Sequence, residues 1–177
     1  MKQITIRIAT LEDATLLAEL GATTFYETFA KDNSEEDMTA YLQANFTVER
    51  LEEELSVPHS IFLIAECAGK PKGYAKLNKG TEEVCVEGSS AIEIVRLYLL
   101  TEAIGIGLGS ALMQACLHYA IEHGFLTIWL GVWEHNPQAI AFYRKWGFEQ
   151  VGSHVFQLGN DQQTDLILQK NFLPSAI

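Results

Sequence analysis

The thirteen residues Asn136-Pro-Gln-Ala-Ile-Ala-Phe-Tyr-Arg-Lys-Trp-Gly-Phe148 read as one helix with both ends marked. Asparagine is a favoured N-cap, because its side-chain oxygen accepts an orphan N–H of the first turn. Pro137 then falls at the first helical position, where a missing N–H costs nothing. Gly147 stops the helix after Trp146. Asn136 and Tyr143 stand seven residues apart, two turns along nearly one face, so both side chains address one place. Ile140, Phe142 and Trp146 read as core. Leu126 to Val132, just upstream, is an apolar strand.

Further upstream, Ala91 to Leu100 (A-I-E-I-V-R-L-Y-L-L) is the strongest strand of the chain. The turn Thr101-Glu-Ala-Ile-Gly-Ile-Gly-Leu-Gly-Ser110 joins it to a helix running from about Gly107 to His123, with Gly124 as its stop. Glycines here permit positive φ and let backbone N–H groups approach a ligand. The helix N-terminus adds unpaired donors and about half a positive charge. Together they suit a phosphate or pyrophosphate. A Walker loop is excluded, since Gly109-Ser110-Ala111 lacks the lysine. A dinucleotide fingerprint is disfavoured, since Gly105, Gly107 and Gly109 are spaced G-x-G-x-G, past the middle of the chain and after an antiparallel hairpin.

The rest of the chain supplies the frame. Ile4, Ile6 and Ile8 alternate with polar residues as a first strand. Thr10 with Asp13, and Ser34 with Asp37, have capping-box spacing. They open a helix reaching about Tyr26, with Leu16, Leu17 and Leu20 inward, and a second helix with Met38, Tyr41 and Leu42 inward. A third short helix spans Val48 to Leu55. Ser60–Cys67 and Lys72–Asn78 form a hairpin around Ala68–Pro71, and Asn78–Ser90 reads as a loop. Glu149–Phe156 and Asp165–Gln169 close the chain as a hairpin around Gly159-Asn160. No repeat or linker interrupts 1–177, so one domain is expected.

Composition narrows the function. The net charge of −11 over 177 residues is the wrong sign for tracking a phosphate backbone, so nucleic acid is not an expected partner, and it tolerates a cationic substrate. Cys67, Cys85 and Cys116 have no C-x-x-C spacing and read as buried thiols. His118 and His123 fall on different helix faces, and no metal site is expected. No apolar run reaches the roughly 18 residues of a membrane span. Met1 to Thr10 alternates instead of forming a signal's apolar stretch, which makes the cytoplasm the expected location.

The Asn136–Phe148 block at this distance from the glycine turn resembles the GNAT superfamily of acyl-CoA N-acyltransferases, and the resemblance covers nearly the whole chain. Thr24-Phe-Tyr-Glu-Thr-Phe29, Trp129-Leu-Gly-Val-Trp-Glu134 and Asp161-Gln-Gln-Thr-Asp-Leu166 are narrower. They are similar to bacterial spermidine/spermine N-acetyltransferases of the PaiA type. The implied fold is α/β (α+β in some schemes): a mixed, mostly antiparallel sheet of six to seven strands, its central parallel strands splayed, with helices on both faces.

The resemblance implies an acyltransferase using acetyl-CoA as co-substrate, with direct attack of a primary amine on the thioester. Leu97, Tyr98 and Leu99 would pair with the pantetheine arm, and an N–H near Leu99 would polarise the thioester carbonyl. Ile104, Gly105, Ile106, Gly107, Leu108, Gly109 and Ser110 would hold the pyrophosphate. Asn136 would bind the pantetheine, Lys145 also falls to the cofactor side, and Tyr143 would protonate the leaving thiolate. One departure stands out: the family's loop usually carries Gln or Arg where this chain has Ile104.

A proton acceptor for the amine is sought among Glu27, Glu93 and Glu134, in that order. Glu93 is placed on one strand face with Val95 and Leu97 by period two. The four acids of Asp32–Asp37 suit the remote ammonium groups of a polyamine. A peptide N-terminus, an amino acid or an antibiotic remains an alternative acceptor, and a non-catalytic acyl-CoA sensor an alternative class. The family's frequent dimers leave a homodimer open.

Overall fold

The structure, a computed structural model, describes residues 3–88 and 90–172. Met1, Lys2, Ser89 and residues 173–177 lie outside the described residues. They include the first positions of the N-terminal reading, one position of the Asn78–Ser90 loop and the far ends of the 1–177 domain. In chain order the elements are β1 (Ile4–Ile8), a 3-10 turn (Leu11–Asp13), α1 (Ala14–Phe29), α2 (Glu35–Asn45), α3 (Val48–Ser56), β2 (Ser60–Cys67), β3 (Lys70–Lys79), β4 (Ala91–Leu99), α4 (Leu108–Glu122), β5 (Thr127–Trp133), α5 (Pro137–Lys145), β6 (Glu149–Leu158) and β7 (Asp161–Asn171).

Local chemistry sets these bounds. Ser34 Oγ accepts from the Asp37 N–H at 3.1 Å, Thr47 Oγ1 from the Arg50 N–H at 3.2 Å, and Asn136 Oδ1 from the Ala139 N–H at 3.1 Å, so each capped helix starts where its cap stands. α1 continues three residues past Tyr26. The Thr24 and Thr28 hydroxyls donate to the carbonyls of Leu20 and Thr24, which satisfies the threonines inside the helix, and Phe29 packs on Phe25 with ring centroids 4.6 Å apart. β7 starts at Asp161, not Asp165. The polar run Asp161–Thr164 pairs with Val155–Leu158, and Gln163 is held there by donating to Asn33 Oδ1.

The seven strands form one sheet in the order β1-β2-β3-β4-β5-β7-β6. Only β4 and β5 run parallel. One face carries α4 and α5, around Ile92, Leu108, Leu112, Met113, Ile128 and Leu168. The other carries α1, α2 and α3, around Leu17, Phe25, Met38, Leu51, Phe62 and Tyr74. Each fully buried side chain of this size contributes roughly 1.5–3 kcal/mol of transfer free energy, and the two layers clamp the sheet in the middle.

Candidate functional site: a cleft where two parallel strands part

β4 and β5 pair only from Ala91–Ile94 against Thr127–Leu130. Beyond that, β4 stays with β3 as far as Leu99, and β5 follows β7 as far as Trp133. The two central strands therefore part like a fork. The Leu100 N–H donates to the Lys72 carbonyl. By strand alternation the N–H and C=O of Tyr98 also face β3, and those of Leu97 and Leu99 face the gap. The parting thus frees a short run of backbone donors and acceptors in mid-sheet, which the expectation for Leu97–Leu99 requires.

A bulge accompanies the parting. Lys76 pairs with Arg96 but Leu77 pairs with Ile94, which leaves Val95 as an extra residue. This corrects the period-two reading of Glu93. The bulge resets alternation, so Leu97 and Leu99 lie with Ile92 and Ile94 on the α4 face, and Glu93 shares the opposite face with Arg96 and Tyr98.

The cleft has a volume of about 920 Å³ and draws on both layers. Of the residues expected to act, Glu27, Glu93, Leu97, Tyr98, Leu99, Ile104, Gly109, Asn136 and Tyr143 line it. Gly105, Ile106, Gly107, Leu108 and Ser110 form the adjoining turn outside its lining. Lys145 is exposed at the end of α5 and away from the cleft, and Glu134 borders a separate shallow hollow.

The turn after β4 suits an anion. Gly105 and Gly107 have φ of +86° and +91°, conformations that favour glycine. Gly107 is the N-cap of α4 and supplies no side-chain cap, so the first N–H groups of that helix stay available. A Cβ on Gly109 would stand 3.3 Å from Leu99 Cδ1; the helix start presses on the end of β4. These donors fit a pyrophosphate. Ile104 contributes only an apolar side chain, 49 % exposed.

Tyr143 belongs to α5 and lines the cleft, its ring 6.0 Å from Phe148. Burial, with a contribution from Cys116, raises its pKa above the ordinary tyrosine value, so the phenol is firmly protonated. Asn136 spends Oδ1 on its own helix and lines the cleft, its amide N–H groups outside that cap bond.

The three candidate carboxylates separate. Glu27 Oε2 accepts from the Thr101 N–H at 2.8 Å and the Thr101 hydroxyl at 3.0 Å. Glu93 lies at the fork, and burial raises its pKa from the ordinary carboxylate value, partly offset by Thr81 and Lys76. Glu134 is outside the cleft. Among the acids of Asp32–Asp37, Asp32 lines the cleft. Asp37 is turned to the Ser34 hydroxyl and the Asn160 N–H.

Two groups of charged residues were not found from the sequence. Asp165 and His154 stand over Gly131 of β5, where a Cβ would meet Asp165 Oδ2 at 3.3 Å and His154 Nε2 at 3.6 Å. His154 Nδ1 is 2.9 Å from Glu83 Oε2, and its Nε2 is 3.9 Å from Asp165 Oδ2. Burial raises the Asp165 pKa, with His154 opposing. A glycine inside the strand T-I-W-L-G-V-W was a legible sign of such a close approach. The second group is Glu54 with Lys76 and Arg96. Both cations reach Glu54 Oε2 at 2.9 Å, and all three side chains are 7–8 % exposed. Among the described residues no cluster of metal-binding side chains occurs, and no helix is long and apolar enough to cross a membrane.

Comparison with known proteins agrees with this geometry. The family model described as acetyltransferase (GNAT) family matches residues 22–148. An uncharacterised N-acetyltransferase from the pepI 3′ region of Lactobacillus delbrueckii subsp. lactis is 37 % identical over 147 residues, 83 % of this chain and 85 % of that one. An uncharacterised N-acetyltransferase of Mycobacterium tuberculosis is 32 % identical over 92 % of this chain and 100 % of its own. The crystal structure of PaiA N-acetyltransferase from Thermoplasma acidophilum in complex with coenzyme A superposes with a TM-score of 0.77 at 24 % identity, covering 96 % of this chain and 99 % of that one. The ribosomal-protein-alanine N-acetyltransferase of Brucella melitensis superposes at 0.68 with 23 % identity, covering 95 % and 99 %. At these identities the two structures speak for the fold.

Proposed function

The chain belongs to the GNAT family of N-acetyltransferases, and on that footing we propose that it moves the acetyl group of acetyl-CoA to a small primary amine, directly, inside the cleft at the β4–β5 fork. The observation that carries the reading is the fork itself. Unpaired backbone of Leu97 and Leu99 faces a cavity that a buried, protonated tyrosine enters from one side and a half-buried carboxylate from the other.

Acetyl-CoA supplies the activated acyl group. The uncapped N-terminus of α4 and the turn from Ile104 to Ser110 would hold its pyrophosphate, and the gap-facing backbone of Leu97–Leu99 its pantetheine arm, with the Asn136 amide beside it. A Leu97 or Leu99 N–H aimed at the thioester oxygen stabilises charge as it develops there. Glu93 takes a proton from the acceptor's ammonium. A raised pKa suits that task, because it brings the carboxylate closer to the amine it must deprotonate. The nitrogen then forms its bond to the acyl carbon, the carbon–sulfur bond breaks, and Tyr143 gives its proton to the sulfur; the second proton that the nitrogen sheds in becoming a neutral amide passes through solvent to restore the phenol. Lys145 has no part in this scheme.

The acceptor is a separate matter, because relatives on one fold take different amines. A polyamine draws support from Glu93, Asp165 and Asp32 in the cleft lining. The cations on the cleft's other side speak against it. We take the whole chain as one domain acting in the cytoplasm on a small molecule, without nucleic acid or membrane.

The test is thiol release from acetyl-CoA with a panel of amines, for the wild type and Tyr143→Phe. Release that falls at least tenfold in the variant, with acetyl-CoA binding retained, supports the reading. Acetyl-CoA binding without release for any amine would move the chain to the class of acyl-CoA sensors.

A further inference from the structure

Glu54, Lys76 and Arg96 come from α3, β3 and β4 and meet in the wall of the cleft under α1–α3. Arg96 donates through Nη1 and Nη2 to both oxygens of Glu54, at 2.9 and 3.3 Å. Lys76 Nζ takes Oε2 at 2.9 Å, and Arg50 Nε stands 3.4 Å from Oε1. One carboxylate thus faces three cations. Arg50 is half exposed and has a second partner in Glu53, but Lys76 and Arg96 are each only 8 % exposed. In a chain of net charge −11, this wall is a local reversal of sign.

Buried charge is costly unless it is paired. The next carboxylate along this face of β4 is Glu93, across the bulge at the fork, where the amine must lose its proton. The acceptor side of the cleft therefore has two poles. Glu93 stands where β4 and β5 part, and Asp165, with His154 beside it, stands over Gly131 further along β5, while Lys76 with Arg96 outnumber Glu54 along β3 and β4. Between them stand aromatic side chains, among them Tyr41 and Phe156, whose rings are 5.8 Å apart. A polyamine satisfies the first pole and is repelled by the second.

We propose that the acceptor is an amine that also carries a carboxylate: its amino group lies at the fork by Glu93 and Asp165, and its carboxylate docks on Lys76 and Arg96. The inference rests on the acetyltransferase reading and names the substrate class of that same site. Arg96 suits the role, since Glu54 takes one N–H from Nη1 and one from Nη2, and a guanidinium carries further donors in the same plane.

The experiment compares acceptors that differ only in that group. Thiol release from acetyl-CoA is measured with phenylalanine against phenethylamine, with 4-aminobutyrate against propylamine, and with spermidine, for the wild type and Lys76→Met. The expected result is that at least one carboxylate-bearing acceptor exceeds its partner amine tenfold or more in kcat/KM. In Lys76→Met that ratio falls toward one, while KM for acetyl-CoA stays within about threefold. The wild-type ratio decides the matter even if the variant does not fold. Release with spermidine or the plain amines at equal or greater kcat/KM overturns the proposal and leaves the transferase reading standing. Release with none of the five, despite acetyl-CoA binding, overturns both.

Discussion

Glu27 Oε2 accepts two hydrogen bonds from Thr101, 2.8 Å from its N–H and 3.0 Å from its hydroxyl, and so ties α1 to the turn that follows β4. Glu27 heads the carboxylates that the sequence offers as proton acceptors, yet its Oε2 is engaged in fixing the chain just before the glycine turn. Glu27→Gln should therefore raise KM for acetyl-CoA several-fold and leave the rising limb of the pH–rate profile in place. Thr101→Val should reproduce the effect. A profile flattened by Glu27→Gln alone would return Glu27 to the chemistry.

Glu93 should behave in the opposite way. Burial raises its folded-state pKa, and the reaction needs its ionised form, so activity should climb as pH rises through that value. Glu93→Gln should remove this limb and lower kcat by about 10²–10⁴, the usual range for a general base.

The same shift bears on stability. A carboxyl whose pKa is raised on folding binds its proton more tightly in the native state. Its contribution is greatest below the ordinary carboxylate pKa and is lost as pH rises through the raised value. Glu93→Gln should consequently raise the melting temperature at neutral pH and leave it nearly unchanged at pH 4. A variant less stable at both pH values would show that Glu93 is held by favourable contacts instead.

What the sequence disclosed and what it withheld follow from the range of the interactions. Caps, stops and turns are local, so Ser34, Asn136 and Gly147 could be read directly. Tyr143 was singled out by the family resemblance, and its spacing from Asn136, a property of one helix, agrees with that reading. The Val95 bulge was not, since β4 reads A-I-E-I-V-R-L-Y-L without a glycine or proline to mark an extra residue, and Glu93 was assigned to the wrong face. Glu54 looks like one more solvated acid in V-E-R-L-E-E-E-L-S, and Lys76 like the polar phase of a hairpin strand. Only the packing of α3 over β3 and β4 shows them buried together. His154 and Glu83 are 71 residues apart, and no local pattern joins them.

Tyr143→Phe separates binding from chemistry. The ring is buried and in contact with Phe142 and Phe148, so removing the hydroxyl keeps the packing. Acetyl-CoA affinity should stay within about threefold by equilibrium titration. kcat should fall by roughly an order of magnitude or more, as for a lost general acid. An unchanged kcat would assign the protonation of sulfur to water.

Ile104 offers the last test, because it adds a function instead of removing one. Its backbone is ordinary, with φ −72° and ψ 137°, so any side chain is tolerated there. It is half exposed beside a helix start whose N–H groups have no side-chain cap. An arginine at this position would reach an anion on that helix start and add a charge-assisted hydrogen bond, worth roughly 1.5–3 kcal/mol in a typical case. Partial exposure and screening reduce that to an expected gain of about five- to tenfold in coenzyme A affinity for Ile104→Arg. Dephospho-coenzyme A, which keeps the pyrophosphate, should gain as much, and the gain should shrink as salt rises. If affinity does not move, the pyrophosphate does not sit at the start of α4, and the cofactor must cross the fork by another path.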